Sequence, residues 1–289
     1  MRYRGALTAL VTPFRDGGVD IPALSELVRW QLDEGIDGLV ACGCTGEAAT
    51  LSADEHIEVV GAVMEAAAGK VPVIAGAGKN DTRATIDLSR RVAALGVDGI
   101  LLITPYYNKP TPDGQFAHFM KAADAVDCDV ILYNVPGRTG VNMTPETIAR
   151  LSEHPRIVAV KDAAGAAERV SAIRELCGID YLSGDDALAM AEVALGAVGV
   201  ISVISNVAPS MMSSLMSLTA SGDLSRAREI QDELYPLMRA LFLESSPGPV
   251  KKALSMMGRI RDELRLPLVP MSDRHVPELL RAMEGAGLM

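Results

Sequence analysis

A lysine at the end of an apolar run is the clearest pointer to covalent chemistry in this chain. Ile157-Val158-Ala159-Val160 has the character of a buried strand, and Lys161 closes it. An amine delivered to the inner end of such a strand loses its water; its pKa falls, and the freed lone pair can attack a carbonyl carbon. The same segment permits a plainer arrangement, a lysine that caps the strand and pairs with Asp162 or Asp185. Tyrosine is scarce, six in 289 residues, yet Tyr106, Tyr107 and Tyr133 all fall just past apolar runs. Gly43-Cys44-Thr45-Gly46-Glu47 could turn successive backbone N–H groups toward one carboxylate, or be an ordinary tight turn. Arg138, in the glycine-rich stretch Val135-Pro136-Gly137-Arg138-Thr139-Gly140, could grip a carboxylate through paired hydrogen bonds or stand solvated on the surface.

These groups are far apart in sequence, so a scaffold must gather them. Short apolar runs recur at 6–12, 38–42, 71–75, 99–104, 130–134, 157–161, 181–183 and 198–203, each followed by a stretch of helical period. Their spacing is that of a strand plus a crossover helix, and about eight such units close a parallel barrel. Ser52-Ala53-Asp54-Glu55 reads as a capping box, Asn80/Asp81 opens the next helix, and Thr144-Pro145 another. Beyond Gly222 helical segments at 223–243, 250–258 and 275–286 follow one another without strands, parted by Pro-rich breaks. The reading is an α/β chain: a (β/α)8 TIM barrel over residues 1–222 and a C-terminal helical region over 223–289. An open doubly wound sheet is disfavoured because no Gly-x-Gly-x-x-Gly follows the first strand. In a barrel the carboxyl ends of the strands carry the chemistry, and that is where the reactive side chains fall.

Composition narrows the function classes. With 27 Lys+Arg against 37 Asp+Glu, the formal charge is −10, and no basic block interrupts the chain. Nucleic acid and anionic membrane surfaces are therefore poor partners. A hydrophobic share of 49% supplies a large core. The uncharged stretch 193–222 is broken by Gly196, Gly199 and Pro209, too short an apolar run to span a bilayer. Cys42, Cys44, Cys128 and Cys177 lack metal-ligand spacing, and Asp54 and His56 would lie on different faces of a helix. No metal or cofactor is expected, and a reduced, cytoplasmic chain is the simplest reading.

Taken together, the motifs form a set. The sequence resembles the dihydrodipicolinate synthase and N-acetylneuraminate lyase family of class I, Schiff-base aldolases. The resemblance runs the length of the chain: Ala9-Leu10-Val11-Thr12-Pro13-Phe14, the turn from Gly43 to Glu47, Thr104-Pro105-Tyr106-Tyr107-Asn108-Lys109-Pro110, and Tyr133 to Gly140. It continues through Lys161, Gly184-Asp185-Asp186, Gly199-Val200-Ile201-Ser202-Val203, Pro249-Val250-Lys251 and Arg265-Leu266-Pro267-Leu268. It implies that Lys161 forms an imine with pyruvate and that Tyr133 shuttles protons. Thr45 and nearby N–H groups would hold the pyruvate carboxylate, with Gly184 and Ile201 closing the pocket. Tyr107 would reach into a neighbouring subunit, making a tight dimer the smallest complete unit and a tetramer of two dimers the usual assembly. An arginine at position 138 fits the carboxylate of aspartate 4-semialdehyde, so the implied reaction condenses that aldehyde with pyruvate in lysine and diaminopimelate biosynthesis. A pyruvate lyase using another aldehyde and a non-catalytic keto-acid binder are the alternatives.

Two departures from the family pattern stand out. Cys44 occupies a position usually held by a threonine whose hydroxyl bridges two tyrosines in a proton relay. Ala48, Ala53 and Ala84 stand where lysine-sensitive members carry serine, histidine and glutamate, beside the matching His56, Asn80 and Tyr106. The resemblance therefore implies weak lysine inhibition.

Overall fold

The computed structural model describes residues 3–289. Eight parallel strands form a closed barrel: β1 Gly5–Ala9, β2 Gly38–Ala41, β3 Val73–Gly76, β4 Gly99–Ile103, β5 Asp129–Asn134, β6 Ile157–Asp162, β7 Asp180–Ser183 and β8 Gly199–Ser202. Each pairs with its neighbours in sequence, and β1 closes the ring against β8. All eight coincide with the apolar runs. Strand β1 stops short of residue 12. After Leu10, whose N–H still bonds Val40, the Val11 N–H turns to the Asn206 side chain at 3.1 Å, and Pro13 has no N–H to offer. The chain then makes a small hairpin, Phe14–Arg15 with Gly18–Val19, that the apolar pattern does not announce.

Both faces of the barrel are apolar, which is why its strands read as continuous rather than alternating. Leu7, Val40, Ile74, Leu101, Ile131, Ala159, Leu182 and Ile201, one from each strand, meet inside. Ala6, Leu39, Ala75, Ile100, Leu132, Val160 and Val200 face outward into the layer packed by helices. Those helices are α1 Ile21–Asp33, α2 Ala53–Ala67, α3 Thr82–Ala93, α4 Pro112–Ala123, α5 Pro145–Leu151, α6 Glu168–Leu176, α7 Ala189–Ala194 and α8 Pro209–Ser221. The starts of the first five are set by side-chain caps. Ser52 and Glu55 close the reciprocal box on α2, Asp81 caps α3, and Thr144 with Pro145 opens α5. After α8 come α9 Leu224–Ala240, α10 Gly248–Met256 and α11 Val276–Gly285, with α9 packed on α8 and α11. Among the described residues no helix is long and apolar enough to cross a membrane.

Candidate active site

Strand register brings the first two groups together. Tyr133 on β5 lies directly beside Lys161 on β6, and each continues the inward parity of Ile131 and Ala159 below it. Lys161 is buried, with its Nζ 4.4 Å from the centre of the Tyr133 ring. It makes no ion pair among the described residues. Asp162 points the other way: it accepts from Arg169 Nε at 2.8 Å, Asn134 Nδ2 at 3.2 Å and the Ala164 N–H at 2.9 Å. Asp185 accepts from the Ala187 N–H at 3.0 Å. Both carboxylates that could have made Lys161 a strand cap are thus engaged elsewhere. Burial lowers the Lys161 pKa to about 8; Cys44 and Asp186 oppose the fall, and the Arg138 charge adds to it.

Around this pair the strand ends converge. Burial, and next the neighbouring Cys44 thiol, push the Tyr133 phenol well above its ordinary range; Cys44 packs against the apolar cluster that includes Tyr133. The Tyr133 carbonyl accepts from both the N–H and the hydroxyl of Thr104, which fixes β5 against the end of β4. Cys44 and the buried Thr45 lie in the turn after β2. Within that turn the Glu47 N–H donates to the Cys44 carbonyl at 3.2 Å. The N–H groups of Thr45 and Gly46 have no partner among the described residues, as an anion cradle requires. Gly184 follows β7, and its N–H donates to the Asp162 carbonyl at 2.7 Å. A Cβ there would sit 2.7 Å from the Ala163 Cβ, so only glycine lets β7 approach the chain just past Lys161. Ile201 points inward from β8 and is buried.

A cavity of about 340 Å³ opens over these strand ends, lined in part by Cys44, Tyr106, Tyr133 and Arg138. Arg138 ends the helical turn Pro136–Thr139, is exposed, and has no acidic partner among the described residues; its Nη2 donates to the Ser246 carbonyl at 3.4 Å. A free guanidinium on a cavity wall is suited to an anionic substrate. Tyr107 does not line this cavity. It is 89% exposed, at a left-handed φ of +73°, while Tyr106 lines the wall instead.

Sequence reasoning passed over two contributors. Asp186 is buried, accepts from the Val203 and Ile204 N–H groups at 2.9 Å each, and acts to raise the Lys161 pKa against the effect of burial, while its own carboxyl is pushed up by burial. Its charge amid Ala187-Leu188 was the available signal. Ser246, Pro267 and Leu268 of the C-terminal region line the cavity; the Pro-rich breaks they lie in or beside, and for Pro267 and Leu268 a motif of the resemblance, were signals to which no site role was attached.

Comparison with known proteins places this geometry. A family model described as the dihydrodipicolinate synthetase family matches residues 2–286. The 4-hydroxy-tetrahydrodipicolinate synthase of Pelobacter propionicus is 48% identical over 289 residues, covering 99% of this chain and 100% of that one. The crystal structure of dihydrodipicolinate synthase from Thermotoga maritima superposes with a TM-score of 0.98 at 42% identity, covering 100% of both chains. That of the Acinetobacter baumannii dihydrodipicolinate synthase, complexed with pyruvate, gives 0.97 at 43% identity over 99% of each. Matched end to end in sequence and in backbone, the chain belongs to the dihydrodipicolinate synthetase family.

Proposed function

We propose that this chain condenses pyruvate with aspartate 4-semialdehyde through a Schiff base on Lys161, giving 4-hydroxy-tetrahydrodipicolinate for lysine and diaminopimelate biosynthesis. One observation carries the reading: Lys161 is buried beside Tyr133, makes no ion pair among the described residues, and has its pKa lowered to about 8. Near neutral pH a useful fraction of the amine is therefore neutral. Its lone pair attacks C2 of pyruvate, and the carbinolamine loses water to leave an imine. Loss of a proton from the methyl carbon gives an enamine, whose carbon attacks the aldehyde. Tyr133 carries the protons in these steps, and Cys44, packed against the same cluster, is the next member of the relay.

Thr45 and the free N–H groups of its turn hold the pyruvate carboxylate, while Gly184 and Ile201 close the pocket around the imine. Arg138 receives the carboxylate of the aldehyde. Exposure of Tyr107 suits a residue that completes a site across a dimer, so the reading includes a tight homodimer, paired into a tetramer, in the cytoplasm.

A panel of aldehydes offered with pyruvate tests the second substrate. Turnover of aspartate 4-semialdehyde is expected, and Arg138→Leu should raise its KM about ten- to a hundred-fold, the weight of one charge-assisted contact at roughly 1.5–3 kcal/mol. Preference for an uncharged aldehyde, unaffected by that substitution, would overturn the assignment.

A further inference from the structure

Glu47 and Lys251 form an ion pair of 2.6 Å with both side chains shut off from solvent. It lies off the reaction path, and it joins two parts of the chain about two hundred residues apart. Lys251, on α10, also donates to the Thr12 carbonyl at 2.9 Å and stands 4.3 Å over the Phe14 ring. Glu47 uses its second oxygen to accept the Arg265 N–H at 3.2 Å. Its backbone is held at φ +53°, a left-handed conformation that residues with a Cβ seldom adopt. Cys42, at the other end of the same turn, is held at +52°. Between them lie Cys44, Thr45 and Gly46, and the Gly46 carbonyl is tied to the Thr12 hydroxyl at 2.7 Å. The turn is thus fixed by contacts from outside its own segment.

We infer that the Glu47–Lys251 pair is a positioning device for the pyruvate-binding turn, through which the C-terminal helix α10 holds Cys44, Thr45 and the free N–H groups at the strand ends. The inference rests on the function proposed above. Glu47 belongs to the cavity wall, but both side chains are shut off from solvent, so the pair acts by fixing the backbone that meets substrate. A buried ion pair is a poor source of net stability, because desolvation offsets most of the attraction. Its value lies in direction: among the described residues Lys251 bonds one carboxylate, that of Glu47 in the strained turn.

Such a device separates fold from geometry, and the variants are chosen to read them apart. Lys251→Met alone leaves Glu47 buried without its partner, so both melting temperature and pyruvate binding should fall. In Glu47→Leu/Lys251→Met the charges leave together, an exchange that proteins commonly tolerate. The double variant should melt within a few degrees of the parent while its KM for pyruvate stays raised at least ten-fold. Thr12→Val, which removes only the hydroxyl bond to Gly46, should raise that KM about three-fold with no change in melting. A double variant that regains both melting temperature and parental pyruvate KM would make the pair merely structural and overturn the inference. So would a Thr12→Val protein and a double variant that both bind pyruvate like the parent, even if Lys251→Met fails to fold. Borohydride trapping of pyruvate on the parent's Lys161 is run alongside. Its absence would strike at the proposed function itself and not at the role of the pair.

Discussion

At Lys161 one desolvation sets both reactivity and stability. With its pKa lowered to about 8 by burial, the trapping rate with pyruvate should climb with pH and level off just above 8. A rise that continues to pH 10 would describe an ordinary solvated lysine. The same depression costs folding stability wherever the amine is charged in the native state, about 3 kcal/mol in full. Because the folded pKa lies below the unfolded one, the cost is absent above about 10.5 and complete below about 8. Lys161→Met should therefore stabilise the chain by roughly 1–3 kcal/mol at pH 7, a gain that shrinks between those limits in denaturant titrations. Cys44 gives a second test. Cys44→Thr should keep or raise kcat, while Cys44→Val, of similar size but unable to pass a proton, should lower it about 10²- to 10⁴-fold. A valine variant with parental kcat would remove Cys44 from the relay. Lys161 was legible in the sequence because strand pattern and chemistry coincide there. Asp186 was not, since its role depends on how the turn after β8 folds back onto it.

Among the elements, β7 and the α2–α3 pair carry predictions of their own. Gly184→Ala would set a methyl 2.7 Å from the Ala163 Cβ and 2.9 Å from the Asp162 carbonyl, so strand β7 must retreat from β6. Overpacking of that kind costs about 1–3 kcal/mol, and here it also displaces the chain beside Lys161. Thermal melts and pyruvate trapping should both register the loss; an unchanged trapping rate would show that the close approach does not shape the pocket. Between α2 and α3 lies a cavity of about 300 Å³ lined in part by Ala53, His56, Lys79, Ala84, Asp87 and Arg91. His56 is held down to about 4, chiefly by burial, and the charges of Lys79 and Arg91 act in the same direction. A lysine ammonium meets no carboxylate at Ala84, and the one at Asp87 is set against the two cations Lys79 and Arg91, so calorimetry should find weak or no lysine binding; tight binding at micromolar concentration would contradict this. Most of the element order was readable, because caps and continuous apolar runs are local signals. The task of α10 was not: Lys251 reads as one more helix lysine until the fold brings Thr12 and Glu47 to it.

For the molecule as a whole, the proposed role of the exposed Tyr107 across a dimer would make activity a property of the assembly. Tyr107→Phe and Lys161→Ala should each be nearly inactive alone. Mixed dimers of the two contain one site with both residues intact, so co-expression should restore activity to a sizeable fraction of the parent's. No recovery on mixing would place Tyr107 outside the partner's site. In the proposed mechanism the barrel delivers one buried amine, unpaired among the described residues, to the strand ends, and every later step depends on that amine meeting a keto acid. The most direct measurement is therefore borohydride reduction of the protein with pyruvate, followed by peptide mass spectrometry. A single reduced pyruvyl adduct on Lys161, lost in Tyr133-intact Lys161→Ala, is the predicted result; an unmodified Lys161 peptide, or an adduct on another lysine, would contradict the account.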